Sequence, residues 1–166
     1  MLKQMILVCV ALILLVTPGF GQTQPKGPVI LTVTGLDEAA FPGGQMAYDR
    51  EMLAALGEAS ITTSSIWTEG THVFDGVRLI DLIRALKIDA PVLRLHALNK
   101  YSVEFPVTEA TQVAPLLAFA MDGVPMSVRD KGPVWVIYPY DSSAAYRTDQ
   151  IFSRSIWQLD RIELLR

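Results

Sequence analysis

The dipeptide Asp122-Gly123 stands between two apolar runs, and the stretch around it, residues 121–140 (MDGVPMSVRDKGPVWVIYPY), constrains the fold more than any other part of the chain. Asp-Gly between strand-like runs marks a tight antiparallel hairpin, because both central residues must take positive φ. Val134, Trp135, Val136, Ile137 and Tyr138 then form an unbroken apolar run that Pro139 ends, the pattern of a buried strand. In front of it, Arg129, Asp130, Lys131, Gly132 and Pro133 make a charged loop that closes on a Gly-Pro pair. Such a loop is either an ordinary solvated turn or a place where a scaffold carries binding groups.

The rest of the chain extends the same pattern. A β-branched strand is expected over residues 28–35, a loop over 36–45, and a short helix over 48–56 behind Asp49, with Gly57 as its stop. Residues 61–67 read as a strand and 68–76 as a polar loop containing His72. Leu79, Ile80, Leu82, Ile83 and Leu86 fall on one face of an amphipathic helix. Residues 91–98 and 101–107 alternate apolar with polar, 108–112 suit a single helical turn, and 116–121 and 134–138 are buried runs. A polar loop begins at Asp141, and residues 151–165 return to apolar alternation around Trp157 and Ile162. Strands, two or three short helices and strands again predict an α+β domain with a mixed, largely antiparallel sheet.

The N-terminus predicts export. Lys3, an apolar run over residues 5–16 and the small residues Gly19 and Gly21 are the three parts of a secretory signal, with a cut before Gln22. An uncleaved anchor is the alternative, though the run is short for a span. The expected organisation is therefore a signal peptide at 1–21, a flexible lead-in at 22–27 and one domain at 28–166. With Lys3 set aside, 13 Lys and Arg remain against 17 Asp and Glu, an acidic balance without a basic cluster that argues against nucleic acid. The only cysteine is Cys9, inside the leader, so the exported chain has no disulfide, thiolate nucleophile or thiolate metal ligand. Two histidines 24 residues apart do not make a metal site, and Ser142-Ser143 lack the partners of a hydrolase triad.

A family resemblance rests on the order of several landmarks. Val33-Thr34-Gly35 closes the first strand, and Gly76-Val77-Arg78-Leu79-Ile80-Asp81-Leu82-Ile83 opens the amphipathic helix. Ala97-Leu98-Asn99-Lys100-Tyr101, with Pro106 after it, precedes the apolar run that ends in Met121-Asp122-Gly123. Lys131-Gly132-Pro133 stands before a buried strand, and Ser155-Ile156-Trp157 before the last one. In this order the sequence resembles the oxidoreductase molybdopterin-binding domain, the fold of the sulfite oxidase catalytic core. Two departures qualify it. The cysteine that the family uses to hold molybdenum would fall near Thr63 and Ser64, and a hydroxyl is a hard, poorly ionised donor where soft sulfur is wanted. The arginine that contacts the cofactor's charged part, two residues after the loop proline, is replaced by Trp135, which can stack on a flat ring or fill a core.

The resemblance is to the small periplasmic, pterin-binding members of the fold that lack the molybdenum-ligating cysteine. It implies a non-catalytic sensor of a reduced pterin, without a metal. Its partner would be the periplasmic domain of an inner-membrane signalling protein that makes or degrades cyclic di-GMP. The alternative is a molybdopterin-dependent oxidoreductase with Ser64 or another oxygen as metal ligand; a third reading is a module that only binds protein. A pterin needs a carboxylate or similar acceptor for its N–H edge, a donor for its carbonyl and an aromatic platform. The candidates are Asp130 for the edge, Arg129 or Lys131 for the carbonyl, and Trp67 or Trp135 for the face. Asn99 and Tyr101 correspond to a cofactor loop of the relatives, Arg154 and Ser155 to a cationic contact, and Ser64 to the missing ligand. Each also has a plain structural role open to it.

Overall fold

The computed structural model describes residues 24–166; the expected leader, Cys9 and the first two residues of the lead-in lie outside them. Ten strands form two five-stranded sheets, joined by three short helices. The strands are β1 Leu31–Thr34, β2 Gln45–Tyr48, β3 Glu58–Ser65, β4 Thr68–Arg78, β5 Val92–Ala97, β6 Ser102–Pro106, β7 Leu116–Met121, β8 Val124–Pro125, β9 Trp135–Ile137 and β10 Leu159–Leu165. The helices are α1 Arg50–Ala54, α2 Leu79–Ala85 and α3 Asp149–Arg154. The α+β class and mixed, mostly antiparallel pairing are as the sequence predicts, with β1 alongside β10 as the parallel pair.

The first sheet runs β2-β1-β10-β5-β6 and obeys strand alternation. Leu31 and Val33, Leu93 and Leu95, and Ile162 and Leu164 point into the core, while Arg94 and His96 point out. The second sheet is centred on β7, whose run LLAFAM is buried over its first five residues. One edge of β7 pairs with β4; the other is shared by β9 along Leu116–Ala118 and by β8 at Ala120 and Met121. The β7–β8 hairpin turns at Asp122 (φ 51°) and Gly123 (φ 76°), the positive-φ pair expected of Asp-Gly.

Four local expectations are corrected. Residues 68–76 are not a loop: they belong to β4, paired with β3 along its length, and they look polar because the hairpin's outer part is solvated, with Glu69, Gly70 and Thr71 exposed. Residues 45–48, expected to end a loop and begin a helix, form β2 against β1. Residues 151–154 are helical rather than alternating; α3 is capped by the Thr148 hydroxyl, which accepts from Ile151 N at 3.3 Å. The lead-in is tied down at its end, since the buried Asp49 carboxylate accepts from Lys26 N and Gly27 N at 2.7 and 2.9 Å while its other oxygen caps α1 through Met52 N at 2.8 Å.

Where β4 crosses β7 the backbones approach so closely that a side chain has no room. A Cβ on Gly76 would lie 2.1 Å from the Leu117 carbonyl oxygen and 2.7 Å from Ala118 Cα, beside the register shift between Asp75 and Gly76. Gly76→Ala is expected to destabilise the fold by about 2–3 kcal/mol through overpacking against backbone. The check is the urea midpoint at unchanged m-value; a midpoint equal to that of the parent would contradict this account of the crossing.

Candidate functional site

A cleft of about 240 Å³ opens where three segments meet: the β3–β4 turn, the β5–β6 turn, and α3 with the residues that follow it. Trp67 forms one wall. It is held in the turn because its backbone N–H donates to Ser65 Oγ at 3.2 Å, and Ser65 Oγ in turn bonds Thr68 Oγ1 at 2.7 Å. Around its ring, Phe152 and Trp157 at 5.7 Å, Trp135 at 5.9 Å and Tyr140 at 6.2 Å all stand edge-on. That geometry suits the ring quadrupole and fixes the indole without a hydrogen bond to its own nitrogen. Trp157 and Phe152 remain half-buried and line the cleft beside it.

The polar groups of the cleft come from short-range turns. Asn99 Oδ1 accepts from Tyr101 N at 3.0 Å, which leaves the Asn99 amide nitrogen as a donor at the rim. Tyr101 reaches across to α3, its hydroxyl donating to the Ser153 carbonyl at 3.1 Å. Ser155 is buried; its hydroxyl accepts from Tyr140 Oη at 2.7 Å and donates to the Ile151 carbonyl at 2.8 Å. Burial pushes the Tyr140 phenol up to about 12, so it stays a neutral donor to Ser155. No charged side chain lines the cleft.

Ser64 lies on β3, at the other side of the hairpin turn from Thr68. Its N–H and hydroxyl both donate to the Asp141 carboxylate, at 2.6 and 2.8 Å. Arg147 Nη2 adds a third donor to Asp141 at 3.1 Å while its Nε donates to the Tyr140 carbonyl, and Asp141 N donates to the buried Thr63 hydroxyl at 3.2 Å. Of the two residues at the place of the family's cysteine, Ser64 is thus occupied by an internal carboxylate and Thr63 by the backbone N–H of the same aspartate. Hydrogen bonds from Ser64, its backbone N–H first, hold the Asp141 carboxyl below its ordinary value, with Arg147 adding to the effect.

Of the residues singled out in the sequence, Trp67, Asn99, Tyr101 and Ser155 come together in the cleft. Trp135 is fully buried beneath Trp67, packs edge-on against Phe74 at 5.5 Å and donates its indole N–H to the Ser155 carbonyl at 3.1 Å; no face of it reaches the cleft. Arg129 and Asp130 are exposed in the turn before Lys131, where Asp130 accepts from the Ser127 hydroxyl at 2.7 Å, and they do not line the cleft. Lys131 lies with Nζ 5.5 Å from the Trp135 ring centre, a cation–π contact. Arg154 points inward, buried, paired with Glu109 and stacked 5.7 Å from the Phe105 ring. His72 bonds Asp122 at 2.6 Å and the Glu69 carbonyl at 2.8 Å, and His96 bonds Glu163 at 2.9 Å across the first sheet. Phe152, Ser153 and Trp157 were missed as cleft residues, because α3 is short; Thr148 as a capping residue was the available signal. A second opening of about 390 Å³, between the lead-in, α1 and β8, holds none of the candidates.

Among the described residues, no three His, Cys, Asp or Glu side chains gather as a metal site. The family model for the oxidoreductase molybdopterin binding domain matches residues 44–147. No curated protein matches the chain. Among solved structures, the chain is similar to the sulfane dehydrogenase SoxCD from Paracoccus pantotrophus, with a TM-score of 0.57 at 14% identity over 82% of this chain and 38% of that one. The chain therefore spans well under half of that protein's chain, and the likeness is one of fold.

Asp141 has a testable acid dependence. A carboxyl with a depressed folded-state value stabilises above its ordinary 3.8 and loses that contribution as pH falls through the lower folded value. The stability difference between the parent protein and Asp141→Asn, from urea unfolding, is expected to be constant near neutrality and to shrink below pH 3.8. A difference that persists unchanged into strong acid would show that shape, and not charge, ties Asp141 to Ser64.

Proposed function

The chain belongs to the oxidoreductase molybdopterin-binding domain family, and from that premise we propose that it is a non-catalytic protein that binds a reduced pterin in the Trp67 cleft. The observation that carries the proposal is the pairing of an uncharged aromatic cleft with a ligand position whose hydroxyls are already committed to Asp141. A flat bicyclic ring can lie against Trp67 or Trp157, a contact of about 1–3 kcal/mol for a base-sized ring. The Asn99 amide can donate to the ring carbonyl, and the Ser153 and Ser155 region offers acceptors for the amino-pyrimidinone edge, at about 0.5–1.5 kcal/mol per bond. One stacked face and two such bonds sum to about 2–6 kcal/mol, which corresponds to an affinity of tens of micromolar at best for a small rigid ligand.

The metal of the family does not fit these residues. Molybdenum held by a protein thiolate needs a cysteine, and the chain's only one is Cys9, far in sequence from the ligand position. Ser64 Oγ is a hydroxyl donor to a carboxylate, and Thr63 Oγ1 is buried, donating to the Ser64 carbonyl at 3.1 Å. The dithiolene-bearing cofactor is the less favoured occupant for the same reason. The remaining parts of the proposal rest on the sequence resemblance: export to the periplasm by the leader, and regulation of an inner-membrane partner that makes or degrades cyclic di-GMP. In this reading the pterin changes the protein's surface at the cleft mouth, where Leu98 and Tyr101 are exposed, and the partner reads the change.

Titration of the exported protein with tetrahydrobiopterin, followed by tryptophan fluorescence under anaerobic conditions, is expected to give saturable quenching. Trp157→Ala should weaken binding roughly tenfold or more, and Asp130→Ala should leave it unchanged. Molybdenum near one atom per chain after export, or sulfite turnover, would overturn the non-catalytic reading.

A further inference from the structure

We infer that the cleft selects the unphosphorylated pterin and rejects its phosphate esters, because its lining carries no charge and the two nearby arginines, Arg147 and Arg154, are paired with carboxylates of the same chain. This deepens the pterin reading above and rests on it. A site built to hold a phosphorylated ligand presents arginine or lysine to the ester, since the phosphate must exchange its water for charged donors. None of the nine lining residues is charged.

The cations nearby are engaged elsewhere. Arg154 lies in the chain between Ser153 and Ser155, both of which line the cleft, yet its side chain is turned into the core onto Glu109 and the Phe105 ring. Arg147 is held by the Asp141 carboxylate and by the backbone carbonyl of Tyr140, whose ring packs on Trp67. Asp141 itself accepts from Ser64 N–H, Ser64 Oγ–H and Arg147, three donors converging on one carboxylate in the way an anion site would receive a phosphate. Lys131 is placed over the buried Trp135 ring. Lys100 stands on the exposed β5–β6 turn next to Asn99, outside the lining.

Two carboxylates, Glu109 and Asp141, therefore take the place of an external anion, and the chain as a whole carries a formal charge of −3. An anionic tail on the ligand meets no charged donor among the lining residues, and the net negative charge of the chain disfavours it. The aromatic walls act on the ring in the same way in both forms, so the ester alone decides the preference.

The test compares 7,8-dihydroneopterin with its 3′-triphosphate, which share one ring and one side chain, by titration calorimetry at low and high salt. The parent compound is expected to bind with an affinity indifferent to salt, and the triphosphate about tenfold more weakly or worse, with an affinity that rises as salt screens the repulsion. Glu109→Gln, which releases the charge of Arg154, should narrow the gap. Overturning results are a triphosphate that binds equally or more tightly, an affinity for it that falls with salt as in a phosphate grip, or an unchanged gap in folded Glu109→Gln protein. Those would leave the pterin reading standing. Failure of both compounds to bind would remove the pterin reading and this inference with it.

Discussion

The segment around Trp135 is bonded to both sheets, and the rest of the structure depends on that double attachment. Along β9 it pairs with the edge of β7 in the second sheet, while Leu159 N donates to the Val134 carbonyl at 2.9 Å at the start of β10 in the first. Val136 N donates to the Ile156 carbonyl at 2.9 Å and the indole N–H of Trp135 to the Ser155 carbonyl, so the chain after α3 is fastened to the same segment. Val134, Trp135, Val136 and Ile137 are all fully buried. Backbone groups this deep must be paired, and here the pairing itself joins the two sheets. Entry to the segment is equally constrained, since a Cβ on Gly132 would lie 2.1 Å from the Met126 carbonyl oxygen.

The cleft follows from that join. Trp135 fills the space beneath Trp67, Phe74 backs Trp135, and Ser155 is positioned by the bonds that fasten the post-α3 chain. The walls of the cleft are thus an outcrop of the core, rigid because their inner faces are packed. Polar groups at the rim, by contrast, sit on the β5–β6 turn, held locally where Asn99 Oδ1 accepts from Tyr101 N and at long range where the Tyr101 hydroxyl donates to the Ser153 carbonyl. A packed aromatic floor with a few polar groups at the margin is the usual composition of a small-molecule site. Charge is handled separately: arginines close to the floor are turned onto carboxylates of the same chain, which leaves stacking and neutral hydrogen bonds as the recognition available.

Much of this was legible residue by residue. The Asp122-Gly123 hairpin, the capping of α1 by Asp49 and the amphipathic face of α2 depend on neighbours within a few positions, and each stands where the sequence puts it. The β4 strand was not legible, because Glu69, Gly70 and Thr71 owe their pairing to β3 and their polarity to solvent. Phe152 and Trp157 look like core or strand residues until α3 and β6 pack together and leave a gap between them and Tyr101. Arg129, Asp130 and Lys131 carry an obvious charge signal, yet Arg129 and Asp130 are exposed outside the lining of the cleft and Lys131 is placed over Trp135.

By itself the amino-acid order determined the periodicities, the turns and the supply of chemical groups, and that beyond Cys9 no thiolate ligand exists. Those are properties of single residues and short windows. Only the tertiary structure decided that Trp135 lies under the cleft, that Arg154 meets Glu109, and that Ser64 is capped by a carboxylate 77 positions away. Pairings of that kind join residues far apart in the chain, and burial and charge compensation are settled only when both partners are brought to one place.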